Sequence, residues 1–148
     1  MTSLGRRFSA LVLVLLLPLL LLSRAHAAAG AYEAELPAEL ATARDLCALV
    51  PCKDVFPGAT HFSERKGQPP YVEAYDQASE PRKLLGYVML STDITDTPAY
   101  SGKPVVTLIG MDTQGRFVGV KVLKHSEPIL LLGIPESALL NFNAQYLG

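Results

Sequence analysis

Tryptophan is absent from the 148 residues, and cysteine and histidine are scarce, at two and three. Two thiols without a second pair of ligands do not make a tetrahedral metal site. The chain also has no Cys-x-x-Cys, no His-Glu-x-x-His, no Gly-x-Ser-x-Gly and no phosphate-cradling glycine loop, so dithiol redox, metalloprotease and serine-hydrolase readings lose their usual residues. Neither sign of charge is in excess: 13 Lys and Arg stand against 14 Asp and Glu, for a net charge of −1. Without a basic run there is no footprint for a phosphate backbone, which excludes direct nucleic-acid binding. The length allows one ordinary domain behind an N-terminal segment and excludes a transporter or a multidomain enzyme.

The one long hydrophobic run is residues 11–22, where every residue is Leu, Val or Pro. Arg6 and Arg7 precede it, and Ala25-His26-Ala27 offers a small-x-small cleavage site, so residues 1–27 are expected to be an export signal cleaved after Ala27. A retained membrane anchor is the rival, but a span needs about 20 apolar residues; this run contains Pro18 and ends at Ser23-Arg24. The paired arginines hint at twin-arginine export, against which stand Gly5 and the leucine-rich core. Cleavage removes Arg6, Arg7 and Arg24, three of the 13 basic residues, and takes the net charge from −1 to −4. An exported chain meets an oxidising compartment, so Cys47 and Cys52 are expected to form a structural disulfide rather than stay free or bind metal. Closing so short a loop contributes about 2 kcal/mol on a chain-entropy account.

Residues 28–148 are expected to form one α+β domain, an antiparallel β-sheet with flanking helices. Leu36, Leu40, Ala43, Leu46, Leu49 and Val50 follow a three-and-four spacing that predicts an amphipathic helix over residues 32–50, stopped by Pro51. Residues 52–60 read as a turn with a buried Phe56, and residues 63–70 as a surface loop. Strands are expected at residues 71–75 and 84–90, the second buried on both faces for much of its length. Residues 92–104 read as a loop, in which Asp93 and Asp96 cap turns rather than form a catalytic pair. The clearest feature is a hairpin, residues 105–111 and 117–123 around Asp112-Thr113-Gln114-Gly115. After it come the apolar run 129–132 and a helix opening at Ile134-Pro135-Glu136-Ser137.

The most promising chemistry lies on either side of that hairpin. Tyr100-Ser101-Gly102-Lys103-Pro104 leads into it and His125-Ser126-Glu127-Pro128 leads out, so folding is expected to bring both to one rim of the sheet. These segments, with Phe56-Pro57-Gly58-Ala59, Gly86-Tyr87-Val88, residues 108–115, residues 118–124 and the continuation from Ile129 to Glu136, resemble the FMN-binding domain of sodium-pumping quinone reductase and Rnf subunits. Within that superfamily the resemblance is to the NosR/NirI branch, and it covers residues 40–148.

The resemblance implies an N-terminal fragment of a periplasmic flavoprotein with the FMN-binding-domain fold. It implies an electron-transfer or redox-sensing module that supports expression and activity of nitrous-oxide reductase, rather than a self-contained enzyme with catalytic residues of its own. FMN is the implied cofactor. The implied partners are the membrane and iron–sulfur modules of the full-length protein and nitrous-oxide reductase itself. Carried onto this sequence, Tyr100, Ser101 and Gly102 match the family's glycine loop, with Ser101 where Gly is more usual, and Lys103 is placed to meet the phosphate. His125, Ser126, Glu127 and Pro128 match the stretch lining the isoalloxazine, with Ile129 and Leu130 as packing residues. The threonine that carries the flavin phosphate in the family is expected beyond Gly148. Thr60, in Gly58-Ala59-Thr60, is a tempting substitute, but Pro57 and Phe62 stand where hydroxyls belong and the position is too early in the domain. The alternatives are a truncated, flavin-free interaction module and an inactive fragment, in which residues 129–132 would be left exposed.

Overall fold

The computed structural model describes residues 36–76 and 81–148. The expected signal peptide and its cleavage site lie outside them, as do residues 32–35 of the expected first helix. Among the described residues no helix is long and apolar enough to cross a membrane.

Among the described residues five strands run in chain order across one antiparallel sheet: β1 His61–Phe62, β2 Val72–Asp76, β3 Lys83–Leu90, β4 Val106–Asp112 and β5 Phe117–Lys124. With a few short helices packed beside it, this is an α+β architecture. The β4–β5 hairpin closes where expected, because its turn is satisfied locally: Asp112 accepts the backbone N–H groups of Gln114 and Arg116, both at 2.9 Å. Gly115 takes φ +83°, which an L side chain resists. β1 escapes a reading by periodicity because two residues carry none.

The expected helix over residues 32–50 is broken in the structure. A 3₁₀ turn at Ala38–Ala41 is followed by two single-turn helices, α1 Leu46–Leu49 and α2 Cys52–Val55. Two interactions account for the break. Asp45 caps α1 by accepting the Ala48 N–H at 3.1 Å, so it opens a helix instead of lying inside one. Arg65, distant in sequence, donates to the carbonyls of Leu40 and Ala41 at 2.9 and 3.0 Å, the acceptors a continuous helix would have needed for residues 44 and 45. Pro51 separates α1 from α2, and the Cys47–Cys52 disulfide, with Cα atoms 5.4 Å apart, ties the two turns together.

Helix α2 lies almost in contact with the sheet backbone. Gly110 and Gly119 face each other across β4 and β5, and a Cβ built on either would come within 2.2 Å of the Val55 carbonyl oxygen. At Gly86 of β3 a Cβ would stand 2.1 Å from the Met111 backbone oxygen of the neighbouring strand and 2.9 Å from the Phe56 ring. Around this contact Leu46, Val55, Val72, Val88, Leu90 and Leu108 form the fully buried core. Lys121 of β5 pairs with Asp54 of α2 at the margin.

The burial of β3 follows from this one-sided packing. Gly86, Val88 and Leu90 are buried, whereas Leu85, Tyr87 and Met89 are half-buried, so the strand alternates rather than being buried on both faces. The expected loop 92–104 opens with one helical turn, α3 Ser91–Ile94, where the Ser91 hydroxyl donates to the Val105 carbonyl and accepts the Thr107 N–H. After β5 the chain forms α4 Pro128–Leu131 and α5 Glu136–Ala144. The Gly148 N–H then returns to the Phe117 carbonyl at 3.1 Å.

Gly119→Ala is expected to cost about 1–3 kcal/mol, because the added methyl meets backbone rather than a flexible side chain. Gly58→Ala, with nothing within 4 Å of its Cβ position, should stay within about 0.5 kcal/mol of the parent. Urea unfolding of the two variants checks the contrast, and equal midpoints would remove α2 from its role as the sheet's clamp.

Candidate functional site

Val106 pairs with Lys124 at the open end of the β4–β5 hairpin, which brings the segment before β4 alongside the segment after β5. Residues 98–104 form a tight loop: the Ala99 N–H donates to the Lys103 carbonyl and the Gly102 N–H to the Ala99 carbonyl, at 3.0 and 2.9 Å. Gly102 sits at φ +76° with open space where a side chain would stand, and the Ser101 hydroxyl accepts the Lys103 N–H. Across the gap, the Ser101 backbone N–H donates to Glu127 Oε1 at 3.1 Å. The Glu127 backbone N–H in turn donates to Nδ1 of His125 at 3.3 Å, and the His125 side chain is buried, at 5% exposure.

Ser101, His125 and Glu127 therefore belong to one connected group, with Gly102 and Ser126 adjoining it along the chain. Lys103 is exposed beside it. Pro128 opens α4, where its fixed φ suits the first helical position. Tyr100 is 91% exposed and Ile129 66% exposed, while Leu130 is half-buried. Leu131 and Leu132 are exposed too. Thr60 lies elsewhere: its backbone N–H donates to the Tyr75 carbonyl beside β1, the edge of the sheet opposite β5. It lies three to four strand spacings, about 14–19 Å, across the sheet from β4 and β5, and toward their closed end, since Tyr75 pairs with Leu84 and Gly86 with Asp112.

Two features went unread in the sequence. The first is the Arg65–Asp93 pair, joined at 2.8 Å with side chains 7% and 11% exposed. Asp93, expected to cap a turn, accepts from the Leu90 backbone at the start of α3 and also receives the guanidinium that holds Leu40 and Ala41. Burial pushes the Asp93 carboxyl above the usual carboxylate range, and Arg65 and the Leu90 backbone bond pull it only part of the way back. The second is a cavity of about 310 Å³ on the other face of the sheet, lined by residues 68–71 with Tyr87, Met89 and Met111. At its side Glu73 accepts from Lys66 at 2.6 Å and from the Tyr75 hydroxyl. The bond from Lys66 and then that from Tyr75 hold the Glu73 carboxyl below the usual range, against the opposing effect of burial. Neither feature has a local signal, since each joins residues far apart in the chain.

A five-stranded antiparallel meander clamped on one face, with a polar loop and helix start joined at the end of its last hairpin, defines a small α+β domain. No protein-family model and no solved structure matches the chain. Among curated proteins, it is 42% identical over 94 residues to the regulatory protein NosR of Pseudomonas aeruginosa, a match covering 64% of this chain and 13% of that protein. It is 48% identical over 66 residues to the regulatory protein NosR of Stutzerimonas stutzeri, covering 45% and 9%. With the protein NirI of Paracoccus denitrificans it shares 36% identity over 55 residues, covering 37% and 8%. The chain belongs to the NosR/NirI family. The matched stretches span about a tenth of the length of these relatives.

Removing one partner of a buried ion pair strands the other. Arg65→Leu alone is expected to lower stability by about 3 kcal/mol, and adding Asp93→Leu to recover at least half of it; additive losses in urea unfolding would show that the two do not act as a pair. Glu73 supports a pH prediction. Its folded pKa lies below the unfolded value of about 4.3, so its stabilisation is present above that value and is lost as pH falls through the folded one. The parent should therefore lose more stability than Glu73→Gln as pH falls from about 5 to about 3, and parallel curves would contradict the assignment.

Proposed function

We propose that the chain is an FMN-binding module of NosR type, with the FMN-binding-domain fold, exported to the periplasm. Its role on this reading is electron transfer or redox sensing in support of nitrous-oxide reductase. The observation that carries the reading is the Ser101 to Glu127 hydrogen bond, which draws together the two segments that resemble the family's flavin-contacting stretches. The homology to proteins named NosR and NirI supports it from a second direction.

The residues at the hairpin's open end fit the group chemically. Gly102 presents backbone without a side chain in the way, and Lys103 stands exposed beside it, a pairing suited to a phosphate. Ser126, Glu127 and His125 offer a hydroxyl, a carboxylate and an imidazole for the polar edge of a flat ring system, and Ile129 and Leu130 offer apolar surface for its face. FMN supplies electron-transfer chemistry that these side chains do not possess. The protein's own part is positional. Glu127 sets the loop through the Ser101 N–H, and the Glu127 N–H fixes Nδ1 of His125 as an acceptor, which leaves the ring proton of neutral His125 on Nε2. On this reading the covalent attachment threonine lies outside these residues, and residues 100–103 and 125–130 provide the non-covalent contacts. The membrane and iron–sulfur modules of the family's full-length protein are then its electron partners. A flavin-free interaction module is the second reading, favoured by the exposed Ile129, Leu131, Leu132 and Phe142.

The test is the visible absorbance of the chain exported from cells supplied with the flavin-transferring enzyme, before and after acid precipitation. Yellow colour released into the supernatant is the expected result. Colour retained in the pellet would move the attachment to a hydroxyl within these residues, and a colourless protein that still captures nitrous-oxide reductase would establish the flavin-free reading. Glu127→Ala is expected to weaken flavin retention about tenfold, near 1.4 kcal/mol, and unchanged retention and potential would remove Glu127 from the edge.

A further inference from the structure

We propose that the sheet face opposite α2 carries a second binding site, for a small, flat, uncharged aromatic molecule of one or two fused rings. The site is the cavity of about 310 Å³ bounded by Tyr71, Tyr87, Met89 and Met111. It shares no residue with the segments at the hairpin's open end and does not rest on the flavin reading.

Its placement follows from the strand alternation. Gly86, Val88 and Gly110 face Val55 and Phe56, so Tyr87, Met89 and Met111 face the other way. Tyr87 and Met111 are direct partners across β3 and β4, and they form the floor. The wall is residues 68–71, held as a hairpin-like turn by reciprocal backbone bonds between Lys66 and Tyr71, both 2.8 Å. Gly67, at φ +83°, lies under the Tyr71 ring so closely that a Cβ there would stand 2.3 Å from Cε1. That contact fixes where the ring stands. Tyr71 meets Tyr87 edge to face, with centroids 5.4 Å apart and planes at 88°.

The chemistry of the lining selects the ligand. Two perpendicular aromatic rings offer a face and an edge to a third, and two thioethers make favourable contact with ring edges. Among the described residues no Lys, Arg, Asp or Glu lines the cavity. Lys66, whose backbone pairs with Tyr71, has its ammonium engaged by Glu73 at 2.6 Å. A charged ligand therefore has no counterion in the lining, whereas the Gln68 amide gives a neutral one a polar partner. An apolar cavity of about 150 Å³ holds one benzene, so twice that volume suits two fused rings.

Methionine makes the test direct. The sequence has three Met, Met1, Met89 and Met111, and two of them line the site. The full chain with isotope-labelled methionine methyl groups is titrated with naphthol, a neutral probe, and with naphthoate, its charged analogue, by NMR. The expected result is a saturable, joint shift of the Met89 and Met111 signals with the amide signals of α5 unmoved, and naphthoate weaker by about tenfold. Gly67→Ala, which displaces Tyr71 from outside the lining, should weaken naphthol by a similar factor while the amide signals of the β4–β5 hairpin stay in place. Shifts that grow linearly without saturating, α5 amide signals that move equally, or naphthoate binding as tightly as naphthol would each overturn the proposal.

Discussion

The contact between the Val55 carbonyl and the paired glycines of β4 and β5 sets the geometry of the domain. A helical turn usually packs on a sheet through side chains, at about 10 Å; here Gly110 and Gly119 remove them and the backbone of α2 drops onto the strands. Close approach leaves room for only a short covering layer, and the Cys47–Cys52 link holds α1 and α2 in it as one unit. It also decides which way each strand faces. Once Gly86, Val88 and Gly110 are committed inward, period-two alternation sends Tyr87, Met89 and Met111 to the opposite face, where the aromatic cavity forms.

Arg65 links this layer to the rest of the chain. One guanidinium holds the carbonyls of Leu40 and Ala41 on one side and the Asp93 carboxylate on the other. It thereby stops an N-terminal helix from forming and pins the start of the loop that continues to Ser101. That loop is fixed at its other end by Glu127, so both anchors of residues 95–103 are charged side chains. The segment proposed to meet a flavin phosphate is held by electrostatics at its ends and is open in between. The two candidate binding regions use different physics: a polar, charged junction at the hairpin's end and an uncharged aromatic and thioether surface on the sheet face.

Where a residue's partner lies a few positions away, the sequence was a good guide. Asp112 and Gly115 build their own turn, and Pro135 marks the start of α5. The meeting of the Ser101 and Glu127 segments was readable in outline, because residues that enter and leave a hairpin must lie side by side. The continuous helix over residues 32–50 failed as an expectation because its carbonyls were taken by Arg65, 24 and 25 residues away. Burial of β3 on both faces failed because only one face has α1 and α2 to cover it. Composition alone contains neither fact.

The sequence by itself determined the strand-rich α+β class, the β4–β5 hairpin, the positions of α2's neighbouring prolines and the membership of the NosR/NirI family, since all of these rest on local pattern or on direct residue identity. Tertiary structure alone decided that Gly110 and Gly119 would form a seat for α2 and that Arg65 would break a helix. It likewise decided that residues 68–71 would close against Tyr87 and Met111. Each of those outcomes requires groups far apart in the chain to reach within a few ångströms, and short-range hydrogen bonding and hydrophobic periodicity do not encode such distances.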